Sequence, residues 1–233
     1  EDWFAMALKL ENIKACVFDA YGTLFDVNAA TRAEQAALGD KWEEIANLWR
    51  LKQLQYSWLR SLQKRHADFW DVTGDALDFA LASVKLDDPA LRDRLMNLYL
   101  TLSAYPEVKE TLQRLQAAGV RCAILSNGTP KMLDAAVENA GIAPFLDGVY
   151  SVEDIGIYKP DPRTYQMAVD RLNILPSEIS FQSSNGWDAY GAKAFGFNVL
   201  WCNRFGQAAE RLPGTPDGQI TSLAELPAII GVA

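Results

Sequence analysis

An aspartate ends an apolar run near the start of the chain, in the stretch "ACVFDAYGTLFD". Asp19 leads into a glycine turn that ends at Thr23. A carboxylate at the mouth of a strand can attack an electrophilic substrate and form a covalent intermediate. In a familiar metal-dependent phosphate site a second acid stands two residues later, but this chain has Tyr21 there. The chemistry must therefore be one that a single aspartate can perform without that partner.

Polar residues also follow three further apolar runs. They occur in "LSNGTP", "IGIYKPDPRTY" and "FQSSNGWD", and are Ser126, Asn127, Lys159, Tyr165, Ser183, Ser184, Asn185 and Asp188. If the runs are strands of one sheet, these groups converge with Asp19 at one rim.

The elements that must position these residues alternate along the second half of the chain. Four segments predict strands: "VRCAILSN", "GVYSV", "EISFQSS" and "NVLWCN". Helix-like segments lie before and between them, with proline near some starts and glycine after some ends. Such alternation predicts an α/β fold with a Rossmann-like parallel sheet and right-handed crossovers. The strand before Asp19 adds a fifth member.

Residues 27–105 interrupt this alternation with a helical, tryptophan-rich segment. Two apolar stripes are expected on one helix: Trp42, Ile45, Trp49, Tyr56 and Leu59, and Leu48, Leu51, Trp58 and Leu62. Two stripes imply burial on more than one side, within a compact cap or also at a subunit contact. We expect a core domain of 1–26 and 106–233 and a cap domain of 27–105 over the carboxyl ends of the strands, where ligands bind in open parallel sheets.

Composition limits the partners of the protein. No window reaches 18 uninterrupted apolar residues and no leader is recognisable, so we expect no membrane span and a cytoplasmic location. The net charge of −8 disfavours nucleic acid but allows a small anionic substrate in a cleft with local cations. The three cysteines match no metal spacing and are interpreted as buried free thiols.

The order of the motifs, DxxxT, then SN, then K, then SSNxxD, resembles the haloacid dehalogenase superfamily over essentially the whole chain. More narrowly, "FDAYGTLFD", "LSNG", "YKPD" and "SSNGWD" resemble the L-2-haloacid dehalogenases. The resemblance implies the fold of that superfamily with a helical cap, hydrolysis of a carbon–halide bond, and a homodimer.

The absent second acid favours the dehalogenases over the phosphatases of this superfamily. Tyr21 cannot serve as a general acid near neutral pH, since an ordinary phenol has a pKa of about 10. Where phosphatases carry further acids, this chain has Ser183, Ser184 and Asn185, which leaves only Asp188 charged. Two carboxylates make a poor magnesium site, so we expect no metal and no cofactor. A departing halide needs neither a proton nor a metal.

In the resulting hypothesis, ionised Asp19 attacks C2 of a short L-2-haloacid from the rear and expels halide. Water then attacks the carbonyl of the aspartyl ester, so the D-2-hydroxyacid forms with inversion. Lys159 would favour the ionised carboxylate, and Thr23 would fix its rotamer.

The remaining substrate contacts follow partly from the resemblance. Arg50, inside the apolar cap helix, would receive the halide with help from Asn127, and Ser126 would bind the substrate carboxylate with nearby backbone N–H groups. The wall around the alkyl group and halogen is expected from three aromatic residues, Tyr21, Phe69 and Trp187.

Hydrolysis of the ester needs a placed water and a base. We expect Asp188 with Asn185 to provide them, with Ser183 orienting the Lys159 side and Tyr165 matching a family tyrosine near the nucleophile. Backbone N–H groups of the turn after the nucleophile would stabilise the oxyanion. His66, the only histidine, is interpreted as a solvated cap residue.

Three other functions stay open. A hydrolase of the same framework could open a strained ring, such as that of azetidine-2-carboxylate, by the same aspartyl attack. A divergent magnesium phosphatase is opposed by Tyr21 and the Ser-Ser-Asn run. A silent binding protein is opposed by the joint presence of Asp19, Arg50 and Lys159.

Overall fold

A parallel β-sheet forms the centre of the protein. The computed structural model describes residues 8–27, 32 and 34–232; the rest of the expected core (1–7 and 233) and cap (28–31 and 33) lies outside the described residues. The strands are β1 (Ala15–Phe18), β2 (Arg121–Ser126), β3 (Gly148–Ser151), β4 (Ile179–Ser183), β5 (Asn198–Cys202) and β6 (Gly218–Ile220). Within the described residues the sheet has six strands in the order β3-β2-β1-β4-β5-β6, all parallel. The predicted α/β fold is confirmed.

One strand escaped the sequence analysis, which expected five. β6 has only three residues and follows the turn-rich loop "LPGTPDGQ", so no apolar alternation marks it. It pairs with β5 at the edge of the sheet, away from the central strand, β1.

Of the α-helices in the described residues, five lie between β1 and β2 in the chain and four follow β2. They are α1 (Gln35–Leu38), α2 (Trp42–Gln63), α3 (Phe69–Ser83), α4 (Pro89–Leu98), α5 (Val108–Ala117), α6 (Pro130–Ala140), α7 (Pro162–Leu172), α8 (Gly186–Phe195) and α9 (Leu226–Ile229). Several begin at side-chain caps: Asp68, Asp88 and Thr129 accept hydrogen bonds from backbone N–H groups of α3, α4 and α6.

The register of the central strands sets the position of the nucleophile candidate. β1 lies between β2 and β4, with Phe18 level with Ile124 and Gln182. Asp19, the next residue, therefore emerges at the same edge as Ser126 and Ser183, as expected from the parallel arrangement.

The helical insertion leaves and re-enters the core at adjacent points. Phe25 forms an antiparallel bridge with Ala104. The N–H of Tyr105 donates to the carbonyl of Leu24, and that of Asp26 donates to the carbonyl of Ser103. The division of the chain at this junction into two domains stays a proposal.

The stripes predicted on α2 are only partly buried. Ile45 and Trp49 are buried, but Leu59 of the same stripe is 43% exposed. Leu51 and Leu62, from the second stripe, are 58% and 80% exposed. Leu48 and Trp58, also from the second stripe, are half-buried, and Trp58 contacts Trp187, so the second side of α2 is covered only in part within the single chain.

None of the helices in the described part of the chain combines the length and apolar character that a membrane span requires.

Candidate functional site

The turn after β1 holds Asp19 at the rim of the sheet. The N–H of Asp19 donates to the carbonyl of Gln182 over 2.9 Å, which continues the pairing of β1 with β4. Gly22 has a φ of +87°, a left-handed conformation that suits glycine. The turn thereby reverses within a few residues, and Asp19 is only 7% exposed.

Three side chains from different parts of the chain bind the Asp19 carboxylate. Thr23 Oγ1 donates to Oδ2 over 3.0 Å, and Asn185 Nδ2 donates to the same oxygen over 2.8 Å. Lys159 Nζ donates to Oδ1 over 3.2 Å. The structure thus brings together four predicted residues from three separate motifs, and Thr23 itself accepts from the N–H of Ser184.

Lys159 also binds a second buried carboxylate. Its Nζ lies 3.0 Å from Oδ2 of Asp188, which is fully buried. Burial disfavours the ammonium, but the carboxylates of Asp188 and Asp19 outweigh this and raise the pKa of Lys159. Burial raises the pKa of Asp188, against the opposing effect of Lys159. Tyr165 completes the group by donating to Asp188 Oδ1 over 2.8 Å.

Arg50 reaches this cluster from the cap helix α2. Its Nη2 donates to Oδ1 of Asn185 over 2.9 Å, and its Nη1 donates to Oε1 of Gln53 over 2.7 Å. Because Asn185 accepts from Arg50, its Nδ2 faces Asp19. The side chain of Asn185 therefore connects the positive charge of Arg50 to the carboxylate of Asp19.

The loop after β2 packs behind the cluster. Asn127 Oδ1 accepts from the N–H of Lys159 over 3.0 Å, and Ser126 Oγ accepts from the N–H of Gly128 over 3.1 Å. A Cβ added to Gly128 would lie 2.8 Å from the Tyr21 hydroxyl, so glycine here allows Tyr21 to pack closely. The proposed contact between Asn127 and a halide at Arg50 stays untested.

A cavity of about 380 Å³ opens between the cap helix and this rim. Its walls include Tyr21, Arg50, Asn185 and Trp187, four of the predicted residues. The other predicted substrate contacts, Phe69, Ser126 and Asn127, stand outside this wall. Phe69 instead stacks on Tyr21, with ring centroids 6.3 Å apart.

Aromatic and hydroxyl side chains complete the surroundings. Trp187 meets Trp58 edge-on at 5.3 Å. Ser183 Oγ accepts from the N–H of Asn185 over 3.1 Å, so it orients the loop and not Lys159 directly. Burial, followed by repulsion from Tyr99 and Asp19, raises the pKa of Tyr21 well above its ordinary value, which makes it a still poorer acid.

The side chains at this rim include few groups that could bind a metal ion. In the described ranges, no three side chains among His, Cys, Asp and Glu come together as a metal centre would require. The two carboxylates at this rim share the Lys159 ammonium.

Two residues of this region were missed by the sequence analysis. Gln53 is fully buried beside Arg50, but glutamines are common on helix surfaces and nothing in its spacing marks it. Arg204 donates to the carbonyl of Thr23 over 2.9 Å and forms an ion pair with Glu107 at 2.7 Å. Arg204 follows β5, and only its position after a strand could have drawn attention to it.

This combination of a capped parallel sheet and an aspartate after β1 defines a class of hydrolases. A family model described as haloacid dehalogenase-like hydrolase matches residues 13–196. (S)-2-haloacid dehalogenase 1 of Pseudomonas sp. strain CBS-3 is 49% identical over 222 residues, 95% of this chain and 98% of the relative. (S)-2-haloacid dehalogenase 4A of Burkholderia cepacia is 48% identical over 218 residues, 93% and 94% of the two chains.

A solved structure extends the similarity to the backbone. The L-2-haloacid dehalogenase from Xanthobacter autotrophicus with chloropropionic acid covalently bound is 38% identical, with a TM-score of 0.88 over 95% of this chain and 100% of that chain. The chain therefore belongs to the haloacid dehalogenase-like hydrolases and, within them, to the (S)-2-haloacid dehalogenase family.

Proposed function

We propose that the protein hydrolyses short L-2-haloacids to D-2-hydroxyacids through an aspartyl ester on Asp19. One observation carries the proposal: the Asp19 carboxylate is fixed by Thr23, Asn185 and Lys159 at the rim of the sheet. A carboxylate that is held in one orientation beside a cation needs little reorganisation to attack. The relative with covalently bound chloropropionic acid supports the same class of intermediate.

In the first step a carboxylate oxygen of Asp19 bonds to C2 while the carbon–halogen bond breaks and the halide takes the electron pair. Attack from the rear inverts C2. The guanidinium of Arg50, adjacent to Asn185 in the cavity wall, is suited to receive the halide. Tyr21 and Trp187, also in that wall, would surround the alkyl group.

In the second step water adds to the carbonyl carbon of the ester. Asp188 would accept the proton of this water, and its burial, which raises its pKa, makes it a stronger base. Collapse of the adduct breaks the acyl–oxygen bond, and the departing alkoxide takes the proton from Asp188 and leaves as the hydroxyacid. Asp19 is regenerated with one oxygen from water once the remaining water proton passes to solvent. Neither step requires a divalent ion, which fits a site where Lys159 bridges the two carboxylates.

The developing negative charge on the ester carbonyl needs N–H donors. Within the turn, the N–H groups of Gly22, Thr23, Leu24 and Phe25 already donate to turn carbonyls. Because those four N–H groups are already used, the oxyanion donors that we propose within the turn are the N–H groups of Ala20 and Tyr21.

The decisive experiment is a single turnover of L-2-chloropropionate by excess enzyme in ¹⁸O-water with a chelator present. We expect chloride release and label in the peptide that contains Asp19. Label in the hydroxyacid alone would mean direct attack by water and would contradict the ester. Asp19→Asn serves as the control that takes up no label.

Two further assays separate the alternatives. Hydrolysis of p-nitrophenyl phosphate that depends on Mg²⁺ would favour a phosphatase. Turnover of azetidine-2-carboxylate without halide release from haloacids would favour the ring-opening hydrolase.

The assembly and location are part of the same proposal. The exposed leucines of α2, Leu51 and Leu62, fit a homodimer contact. The free, buried thiols of Cys16, Cys122 and Cys202 fit a reducing cytoplasm. Light scattering of wild type and Leu62→Glu would test the dimer, which the variant should weaken.

A further inference from the structure

Gln53 connects the cation of the site to the interior of the cap. It is fully buried in α2, one turn after Arg50. Its Oε1 accepts from Arg50 Nη1 over 2.7 Å, and its Nε2 donates to Thr73 Oγ1 over 2.7 Å. The hydroxyl of Tyr99 lies 3.3 Å from the same Nε2.

The direction of these hydrogen bonds follows from the number of protons. A threonine hydroxyl has one proton, and Thr73 donates it to the carbonyl of Phe69. Thr73 Oγ1 can therefore only accept from Gln53. This requires the NH₂ group of Gln53 to point toward α3 and its oxygen to point toward Arg50.

The neutrality of Gln53 matters as much as its orientation. Among the described residues, the guanidinium of Arg50 bonds to two side-chain amides, those of Gln53 and Asn185, and forms no ion pair. Amides orient a guanidinium without cancelling its charge. The charge therefore stays available for an anion in the cavity.

We propose that Gln53 is a positioning residue for anion binding, with Thr73 as the group that fixes its orientation. It holds Arg50 against Asn185, and through Asn185 it also affects the orientation of Asp19. This inference rests on the proposed function, because the anion would be the leaving halide.

The first test is Gln53→Glu, which keeps the shape and the acceptor but supplies a charge that pairs with Arg50. We expect bromide to inhibit about tenfold more weakly and kcat/KM for L-2-chloropropionate to fall by about tenfold or more, as loss of a charge-assisted interaction implies. Ser57→Ala, which removes another buried hydroxyl from α2, is the matched control and should leave both values unchanged.

The second test does not alter the residue next to Arg50. Thr73→Val keeps the side-chain shape but removes the hydroxyl, so the Gln53 amide loses the contact that orients it. We expect bromide inhibition to weaken and kcat/KM to fall as in Gln53→Glu. The thermal unfolding midpoint, measured on the same samples, shows how far the variant is destabilised. Thr73→Ser restores the hydroxyl and should restore bromide inhibition.

The inference is overturned if the wild type releases halide but Gln53→Glu and Thr73→Val match Ser57→Ala both in inhibition by bromide and in kcat/KM. It is also overturned if Thr73→Ser fails to rescue a defective Thr73→Val. Absence of halide release from the wild type would instead contradict the proposed function.

Discussion

Lys159 donates a hydrogen bond to Asp19 over 3.2 Å, although 140 residues separate them in the chain. Lys159 is 1% exposed, and its ammonium also contacts Asp188. One buried cation therefore serves as the counter-charge that two buried carboxylates share.

Replacing this cation should destabilise the protein and abolish turnover. In Lys159→Met the carboxylates of Asp19 and Asp188 lose their counter-charge, and breaking a buried pair costs about 3–5 kcal/mol. The pKa of Asp188, which burial already raises, then rises further because Lys159 no longer opposes that effect, so the deficit should shrink as pH falls and Asp188 takes up a proton. Urea unfolding at several pH values measures both effects.

The exposed Lys14 provides the control for that variant. It pairs with Glu178 at the surface, and Lys14→Met should leave the unfolding midpoint and the activity close to wild type. A deficit of Lys159→Met that stays constant across pH would contradict the assignment of the effect to Asp188.

Tyr165→Phe should shift the pH dependence of turnover. The lost hydroxyl donates to Asp188 and helps to keep it ionised, so its removal raises the pKa of Asp188. The acid limb of the kcat profile should move to higher pH, so kcat should fall on the acid side of the profile, where Asp188 is protonated. Tyr150→Phe, on the edge strand β3, should match wild type. An unmoved acid limb would remove Asp188 from the hydrolytic step.

Arg50→Lys should show that geometry matters in addition to charge. A lysine ammonium is a single point donor group and cannot reproduce the planar fork between Gln53 and Asn185. We expect kcat/KM to fall by about 10²-fold, as misplacement of a positioned group does. Arg60→Lys, later on the same helix, should keep normal kinetics; equal kinetics of both variants would argue against a role for the fork.

Cys122 should contribute to loss of stability in alkali. Burial, aided by Asp147, raises the pKa of this thiol from about 9 to about 12. Its contribution is complete below pH 9 and is lost as pH rises toward 12, because the unfolded thiol ionises first. As pH rises from about 9 to about 12, the free energy of unfolding of Cys122→Ser should fall less steeply than that of the wild type. The two slopes should differ by about 1.4 kcal/mol per pH unit. Thr111→Ser should keep the wild-type slope; a parallel curve for Cys122→Ser would contradict the prediction.

The sequence was sufficient to predict the residues that meet at the rim. Asp19, Lys159 and Asp188 each follow an apolar strand or lie near its end, and parallel strands bring such ends together. The order of the motifs also predicted that Thr23 and Asn185 belong to the same site. The alternation of strands and helices, together with the polar residues that follow the strands, is therefore enough to predict which side chains share this edge of the sheet.

Features that depend on side-chain packing could not be predicted in this way. The burial of Gln53 depends on Thr73 and Tyr99 from outside its own helix, which no local pattern reveals. The exposure of Leu62 likewise depends on which face of α2 its neighbours cover. β6 forms because it pairs with β5, and its own composition does not predict a strand.

The bridge between Phe25 and Ala104 has a consequence for how this protein can change over time. Because the inserted segment departs and returns side by side, its length and make-up can vary without displacing the strands beneath. Changes in this segment can thus alter the cavity wall that α2 supplies, while Asp19 and the strand that carries it are inherited intact.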